Sequence, residues 1–325
     1  MIFFQKYRIW FFTSLIAIII LFLSLVLGPG GLILTLEGPE GKLITHIRLP
    51  RILLSFIAGS SLAVCGAALQ GLLRNPLVSP FTLGVASGSS LGAVLAIRLG
   101  LDIILPGGTF LFSLLTGMIV LIALMGFSLK RGQFGAVSVI LGGVTIASFS
   151  SSAIMFIQYT STYNESFRMV RWLMGNMDFV TMKQVAGLLP LTIPAVIALA
   201  LMGKSLNLMA LGHETALTSG LNVRRSSLII LGATGIAVAG VVSIAGPISF
   251  VGIVVPHVLR LSGVHDNRKL LPLSIIAGGT FLVFCDFIGR IILAPAQLPT
   301  GVVTSLTGGP FFIFLLWKVR VYQEN

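Results

Sequence analysis

Charged residues are scarce in this chain, since Asp, Glu, Lys and Arg together make up only 9% of its 325 residues. A soluble domain carries about 25% charged residues, and a chain with far fewer cannot cover a surface that faces water. Hydrophobic residues account for 56% of the sequence. The shortage of charge therefore argues against a soluble globular protein and indicates that lipid is the main solvent of this chain.

Cysteine is also scarce. Cys65 and Cys285 both fall inside apolar segments, and no CxxC pair is present. A redox motif or a cysteine-rich zinc site is therefore not supported, and we interpret both residues as small buried hydrophobic side chains. The four histidines are scattered over different segments with a spacing that suits no metal site. We predict that this chain binds neither a metal nor a cofactor of its own.

Catalytic groups are missing as well, because no segment contains the paired carboxylates that acid–base chemistry needs. Only Asp286 lies within an apolar run. An acidic residue inside the membrane is a candidate coupling site for protons or ions. It is also spaced to pair with Arg290 one helical turn later, and we favour this pairing. The alternative, an ion-coupled secondary transporter that uses Asp286, stays open. We predict no catalytic residue.

The segment from Ala198 to Ser205 ends like a phosphate-binding loop, with Gly203-Lys204-Ser205. However, Ala198 replaces the first glycine of that motif, and an apolar helix precedes it where the motif requires a strand. We interpret the segment as the end of a helix with a lysine that reaches toward water. Any ATP hydrolysis is therefore expected on a partner subunit.

Long apolar runs determine the predicted fold. Only helices and closed barrels satisfy their backbone hydrogen bonds in lipid, and continuous runs such as Leu15–Leu27 favour helices over barrel strands. We predict an all-α integral membrane protein, with residues 1–325 forming one transmembrane domain. About ten transmembrane helices are expected, near residues 9–28, 52–72, 82–99, 108–129, 136–158, 184–203, 226–245, 249–261, 270–288 and 302–318. The eighth is too short to span a bilayer alone.

Basic residues predict the orientation. With both termini in the cytoplasm, thirteen of the 21 basic residues fall on the cytoplasmic side, as positive-inside topology requires. Basic clusters in this arrangement are typical of membrane topology, so nucleic acid is not predicted as a partner. The other side still carries eight basic residues, which need a separate explanation: Lys42, Arg48, Arg51, Arg98, Arg168, Arg171, Lys183 and Arg290.

Hydroxyl side chains form stripes on two predicted helices. Thr145, Ser148 and Ser152 fall on one face of the fifth helix, and Thr300 and Thr304 form a weaker stripe on the last. Hydroxyls in membrane helices often bond back to their own backbone. They can also line a water-filled pathway. Both interpretations stay open, and we carry the five residues as candidate pathway residues.

The polar loop at residues 205–225 is predicted to contain two short helical pieces, broken at Gly212 and Gly220. Its exposed apolar side chains imply a partner that covers them. The alternative is a loop that folds back on its own bundle.

Four stretches resemble a known family. They are Arg48-Leu-Pro-Arg51, Gly66 to Pro80 with Leu83-Gly84, Gly246 to His257 with Arg260, and Leu298-Pro-Thr-Gly301 with Gly309-Pro310-Phe311. Each is long, and they occur in the family's order. The chain resembles the FecCD family of ABC importer permeases, which includes vitamin B12, ferric-siderophore and haem permeases.

This resemblance implies a type II ABC importer permease fold with ten helices per subunit, in the bacterial inner membrane. It also implies a dimeric core, expected here to be a homodimer, with a pathway lined by the fifth and tenth helices. Two ATPase subunits, which hold ATP and Mg²⁺, and a periplasmic or lipoprotein substrate-binding protein are the implied partners. The implied function is import of a metal chelate, with ferric siderophore as the first candidate and cobalamin or haem as alternatives.

The resemblance also assigns site residues. Arg48, Arg51 and Arg290 would dock acidic residues of the binding protein, because guanidinium stays charged and grips carboxylates with two hydrogen bonds. Two residues depart from the family: Gln297 replaces a common Glu, which removes any ion pair there, and Gly289 replaces Ala. The implied ATPase coupling loop contains Leu208, Ala210, Leu211, Gly212, Glu214, Ala216, Gly220 and Leu221.

Overall fold

The computed structural model describes residues 2–29, 31–33, 38–130, 136–175, 177–178 and 180–323, and these residues are mostly helical. A two-stranded antiparallel hairpin, β1 (Leu27–Gly28) and β2 (Gly31–Leu32), follows the first helix. The helices are α1 (Ile2–Val26), α2 (Gly38–Leu43), α3 (Leu49–Leu73), α4 (Val85–Arg98), α5 (Leu101–Ile104), α6 (Gly108–Lys130), α7 (Ala136–Tyr159), α8 (Tyr163–Leu173), α9 (Met182–Leu201), α10 (Gly203–Ala210), α11 (His213–Thr218), α12 (Val223–Ala245), α13 (Val251–Leu261), α14 (Asn267–Ile291) and α15 (Thr300–Gln323).

Seven stretches of the described chain are long and apolar enough to cross a membrane, and three shorter apolar helices accompany them. The prediction of an all-α membrane protein with about ten transmembrane helices is thereby confirmed. The seven are Arg8–Val26, Gly41–Leu73, Gly108–Gly126, Val137–Tyr159, Met182–Leu201, Val223–Ala245 and Asn267–Ile291, and the three are Val85–Arg98, Val251–Leu261 and Thr300–Phe314.

Two of the short helices begin after proline-containing segments. Pro76 lies in the irregular segment before α4, and Pro80 opens the 3-10 turn Pro80–Leu83 that leads into it. Pro247 precedes α13 in the same way. Proline lacks the backbone N–H that a helix would use, so both helices begin late. With 11 residues, α13 is too short to cross a hydrocarbon core of about 30 Å, as predicted for the eighth segment.

Helices α3 and α14 pack together through their backbones. A Cβ atom placed on Gly59 of α3 would overlap the carbonyl of Gly278 on α14, and a Cβ on Gly278 would overlap Ala63. Small residues therefore allow the two backbones to approach closely. In lipid the hydrophobic effect does not hold helices together, and the van der Waals contact made by this approach supplies the packing energy. Gly59 and Ala63, four positions apart on one face of α3, both lie at this interface.

The bundle has two ends that carry polar features. We call the end with the start of α3, the end of α14 and helix α8 the arginine end. The other, with α10, α11 and the start of α14, is the loop end. There, Asn207 of α10 donates to Asp266 at 2.6 Å and accepts from the backbone N–H of Asn267 at 3.0 Å. Arg74, after α3, donates to the Met209 carbonyl. Helix α10 is thus fixed to both α3 and α14.

Candidate functional site

A buried ion-paired group occupies the arginine end, centred on Asp286 of α14. Arg51 of α3 donates from Nε to both carboxylate oxygens of Asp286, at 2.9 and 3.0 Å. Arg290 Nε lies 3.2 Å from Asp286 Oδ2, and the Thr300 hydroxyl donates to Oδ1 at 2.9 Å. The predicted pairing of Asp286 with Arg290 is therefore confirmed, and Arg51 is a second cation that the spacing along α14 did not indicate.

Two of the buried guanidinium groups, those of Arg48 and Arg290, also contact the end of α1 beside the hairpin. Arg48 donates from Nη1 to the carbonyls of Leu25 and Val26, at 2.9 and 2.7 Å. Gly28 leaves room for this side chain, because a Cβ there would come within 2.5 Å of Arg48 Nη2. Arg290 donates to the Ser24 carbonyl at 3.1 Å. The end of α1 is thus held by two arginines through charge-assisted hydrogen bonds.

The outer side of this group contains a second carboxylate, Asp178, in the connection between α8 and α9. Arg51 Nη1 donates to Asp178 at 2.7 Å and to Gln297 Oε1 at 2.6 Å. Arg171 lies 3.6 Å from the other oxygen of Asp178. The sequence departure at Gln297 removes an ion pair from that position, and the structure shows a hydrogen bond from the Arg51 guanidinium to a neutral amide oxygen there. Asp178 and Asp286 supply the charge that Arg51 needs.

We define the arginine cluster as Arg48, Arg51, Arg290, Asp178 and Asp286. A cavity of about 500 Å³ adjoins it, lined among others by His46, Arg51, Arg171, Asp178, Thr181 and Gln297. The three arginines are only 7%, 5% and 3% exposed. In this conformation their guanidinium groups bind partners within the chain, and the predicted contact with a binding protein stays a prediction.

Two further outer arginines have acidic partners around α8. Arg98 lies 2.8 Å from Glu165, and Arg168 lies 2.5 Å from Asp102. Glu165 also accepts from the Thr162 backbone N–H at 2.9 Å, which forms a capping box at the start of α8. This hydrogen bond, reinforced by the charge of Arg98, lowers the pKa of Glu165. The excess of basic residues at this end therefore includes ion pairs that fix α8.

The structure separates the two predicted hydroxyl stripes. Thr145, Ser148 and Ser152 are exposed on α7, and Thr145 also donates to the Leu141 carbonyl of its own helix at 2.8 Å. By contrast, Thr300 and Thr304 are fully buried. Thr300 binds Asp286, and Thr304 donates to the Gly301 carbonyl at 3.0 Å. The α7 stripe is exposed, and its place in a pathway stays a prediction, whereas the α15 residues have structural partners in this conformation.

Two short helices form in the loop that was predicted to contain them. Helix α10 ends at Ala210, α11 begins at His213, and Gly212 between them adopts a φ of 130°, which favours glycine. Leu211 is 70% exposed and Leu217 is 50% exposed. Of the predicted coupling residues, Ala210, Leu211, Glu214 and Gly220 are exposed, Leu208, Gly212 and Leu221 are half-buried, and Ala216 is buried.

The described residues contain no group of three or more His, Cys, Asp or Glu side chains placed to hold a metal ion. The segment that resembles a phosphate-binding loop lies at the end of α9 and the start of α10, so a helix precedes it, as interpreted from the sequence. The geometry thus offers a charge cluster at one end and a loop with exposed apolar side chains at the other. Sequence reasoning missed Asp178. The only feature of the sequence that could have indicated it is the position of this acidic residue close to the excess of outer arginines.

Comparisons with known proteins agree over most of the chain. A model of the FecCD transport family matches residues 7–318. The ABC transporter permease protein YvrB of Bacillus subtilis (strain 168) is 37% identical over 292 residues, which cover 89% of this chain and 82% of YvrB. The vitamin B12 import system permease protein BtuC of Klebsiella pneumoniae is 34% identical over 322 residues, covering 97% of this chain and 96% of BtuC.

A solved structure supports the same fold. An inward-facing conformation of an ABC transporter assigned to the metal-chelate type superposes with a TM-score of 0.88 at 30% sequence identity. The superposition covers 96% of this chain and 99% of that one.

Proposed function

The chain belongs to the FecCD transport family, and from this we propose that it is the membrane-spanning permease subunit of an ABC importer for a metal chelate. The observation that carries the proposal is the extent of the match, which runs from residue 7 to residue 318 and includes both polar ends of the bundle. The chain itself performs no covalent chemistry in this proposal, and ATP hydrolysis belongs to partner subunits.

The loop end is the proposed ATPase contact. Leu211 and Leu217 expose apolar side chains on the two short helices. Two ATPase subunits, each binding ATP with Mg²⁺, would cover one such loop on each of two permease chains. Because burying a leucine side chain is worth about 1.5–3 kcal/mol, each of these residues can contribute up to that amount to the contact.

The second permease chain is proposed to be a copy of this one, packed on the exposed face of α7. Phe149, Met155 and Phe156 are each 69% exposed there, beside the hydroxyls of Thr145, Ser148 and Ser152. Apolar residues would form the contact between copies, and hydroxyls would line the pathway. Thr300 and Thr304 would enter this pathway only after a conformational change that releases them.

Helices α3 and α14 are proposed to connect the two ends. Both contact α10 at the loop end, through Arg74 and through Asn207 with Asp266. Both also enter the arginine cluster, through Arg51 and Asp286. With 25 residues at 1.5 Å each, α14 is roughly 37 Å long. A displacement of α10 by the ATPase would therefore be transmitted along rigid helices to the arginine end.

The arginine end, which this orientation places outside the cytoplasm, is the proposed contact for the substrate-binding protein. Arg51 holds Asp178, a partly exposed carboxylate, on its outer side. An acidic side chain of the binding protein would replace Asp178 in that position and so preserve the charge balance. This exchange reconciles buried arginines with a docking role. With the arginine end outside, both termini are proposed to lie in the cytoplasm of a bacterial cell.

Ferric siderophore is the first candidate substrate. Cobalamin is the second, favoured by the 34% identity to a vitamin B12 permease over 97% of the chain, and haem is the third. An ion-coupled carrier that uses Asp286 is a weaker alternative, because that carboxylate is only 1% exposed and already binds Arg51, Arg290 and Thr300. A coupling acid must exchange its proton or ion with water, and the Asp286 carboxylate is already bound by side chains of the same chain.

Uptake by proteoliposomes tests the proposal. The purified chain, its ATPase and its binding protein are reconstituted, and labelled ferric siderophore, cobalamin and haem are supplied separately. We expect ATP-dependent uptake of one of them, abolished by Arg51→Glu and retained by Lys183→Glu, which adds the same charge at an exposed position of the same end. Uptake driven by an ion gradient without ATP, and indifferent to Arg51, would instead support the carrier.

A further inference from the structure

A groove runs between α1 on one side and α13, α14 and α15 on the other. It encloses about 770 Å³, and its lining includes Arg8, Phe12, Ile16, Val258, Phe284 and Thr307. Phe12 is 49% exposed, and Val258 and Phe284 are each 41% exposed. The groove is therefore open to the surroundings of the bundle along membrane-spanning helices, and neither the fold nor the proposed transport pathway accounts for it.

The length of the groove matches one leaflet of a bilayer. On α1 its lining extends from Arg8 to Ile20. Twelve residues of helix rise roughly 18 Å, and half of a hydrocarbon core of about 30 Å is ~15 Å. A single acyl chain that lies along α1 would thus extend from the mouth of the groove, which we define as the end near Arg8 and Ser262, to the end near Ile20.

Apart from Arg8, the walls of the groove offer little to water. Four hydroxyl residues line it, and each donates to a carbonyl of its own helix: Thr13 to Ile9 at 2.8 Å, Ser262 to Val258 at 3.0 Å, Thr280 to Ile276 at 2.7 Å and Thr307 to Val303 at 2.9 Å. A threonine whose hydroxyl is bonded in this way presents mainly its methyl group to the groove. A buried water needs two to four polar partners, so an apolar occupant is favoured.

A cation stands at the mouth of the groove. The Arg8 guanidinium lies 6.0 Å from the Phe12 ring centroid, and the side chain is exposed. Among the residues that the structure describes, no carboxylate lies within ion-pair distance of Arg8. A basic side chain at the end of a membrane helix attracts anionic headgroups, with an energy of about 1 kcal/mol per residue.

We propose that this groove binds one anionic phospholipid from the leaflet that contains Arg8. Its phosphate pairs with Arg8, and one acyl chain lies along α1 against Val258, Phe284 and Thr307. The lipid fills the gap between α1 and α15, which packs chiefly on α13 and α14. This site is independent of the transported substrate and of the partners proposed above.

Lipid retention in defined nanodiscs tests the site. The full chain is reconstituted in nanodiscs of equal parts phosphatidylglycerol and phosphatidylcholine and then released into detergent. Native mass spectrometry measures which lipid stays bound to the chain. We expect the wild-type chain to retain one phosphatidylglycerol. Arg8→Gln should reduce this retention about fivefold, whereas Arg224→Gln, which removes an exposed arginine at the same end, should leave it unchanged.

A second variant tests the acyl-chain half of the site. Ala277 lines the groove, and Ala277→Phe should reduce retention of both lipids because the ring occupies the space of the chain. Equal retention of both lipids by the wild-type chain, or no loss with Arg8→Gln, would overturn the proposal. So would disulfide cross-linking of Ile16→Cys between two chains, since a second copy would then cover the groove.

Discussion

Arg51 and Asp286 lie 235 positions apart in the chain, yet Arg51 Nε donates to both oxygens of the Asp286 carboxylate at 2.9 and 3.0 Å. The contact joins the start of α3 to the end of α14. Buried ion pairs gain little net stability because desolvation offsets their attraction. Removing one partner is costly, however, since it leaves the other charge unpaired in the interior.

Asp286→Asn should therefore destabilise the fold. The variant leaves Arg51 and Arg290 without their shared carboxylate, and we expect a loss of about 3–5 kcal/mol in the free energy of unfolding. Titration with sodium dodecyl sulfate, followed by circular dichroism, measures this loss. Asp102→Asn is the matched control, because its ion pair with Arg168 is partly exposed and should contribute at most ~1 kcal/mol.

The same variant separates the two transport classes. For an ABC importer, ATP-driven uptake by the folded fraction of Asp286→Asn should persist at a reduced level. Complete loss of coupling in a variant as stable as the wild type would support the ion-coupled carrier.

Gly59→Ala should separate α3 from α14, because the added Cβ overlaps the Gly278 backbone. Overpacking of this kind costs about 1–3 kcal/mol. Gly187→Ala on α9, where a Cβ meets no atom within 4 Å, should instead stabilise the helix by roughly 0.5–1 kcal/mol. Thermal unfolding in detergent compares the two. Equal effects would contradict the direct backbone packing of α3 on α14.

Leu211→Ser should weaken binding of the ATPase subunit. Its side chain is 70% exposed at the loop end, and we expect a loss of about 1.5–3 kcal/mol in association free energy with no change in unfolding. Ile103→Ser is the control, since Ile103 is 73% exposed but lies on α5 at the arginine end. Association is measured by pull-down with the purified ATPase, and an equal loss for both variants would place the contact elsewhere.

Asp178→Asn should tighten docking of the substrate-binding protein. The change removes an internal competitor for Arg51 and keeps the size of the side chain. A partly exposed ion pair is worth up to ~1 kcal/mol, so affinity should rise about fivefold. Surface plasmon resonance on the reconstituted complex measures it, with Asp102→Asn as the control. Weaker binding by Asp178→Asn would show that this carboxylate supports docking and does not compete with it.

Acidification should loosen α8. The hydrogen bond from Thr162 lowers the pKa of Glu165 below its ordinary value of 4.5. Its stabilising effect is therefore fully present above that value and is lost as pH falls through the lower pKa of the folded state. Hydrogen exchange of the α8 amides as a function of pH measures this loss. In Glu165→Gln the same pH dependence should disappear, and its persistence would assign the effect to another carboxylate.

The helices could be predicted closely because each one is specified by residues that are neighbours in the chain. The predicted segment 136–158 is α7 (Ala136–Tyr159), and the segment 249–261 is α13 (Val251–Leu261). Apolar runs, glycines and prolines affect the secondary structure only within a few residues of their own positions. The same local reasoning located the pair Asp286 and Arg290, one helical turn apart on α14.

The candidate site was only partly predictable. Sequence singled out Arg51 as a charge that needed a partner, but it did not indicate Asp178, which lies on another segment. At Gln297 it indicated only the loss of an ion pair, whereas the structure shows a hydrogen bond from Arg51 there. It also grouped Thr300 with the exposed hydroxyls of α7, because helical spacing gives the face of a residue but not the neighbour of that face. The structure buries Thr300 against Asp286.

The sequence by itself determined that lipid is the main solvent of the chain, how many membrane helices it has and which residue types lie at each end. These follow from the sequence because hydropathy and charge are properties of short segments. Only the tertiary structure decided which charges meet. Arg51 is paired because Gly59 and Gly278 allow α3 and α14 to touch, and this approach brings together side chains more than two hundred positions apart. In a low-dielectric interior the energy of a charge depends on the atoms within a few ångströms of it, and those are set by packing.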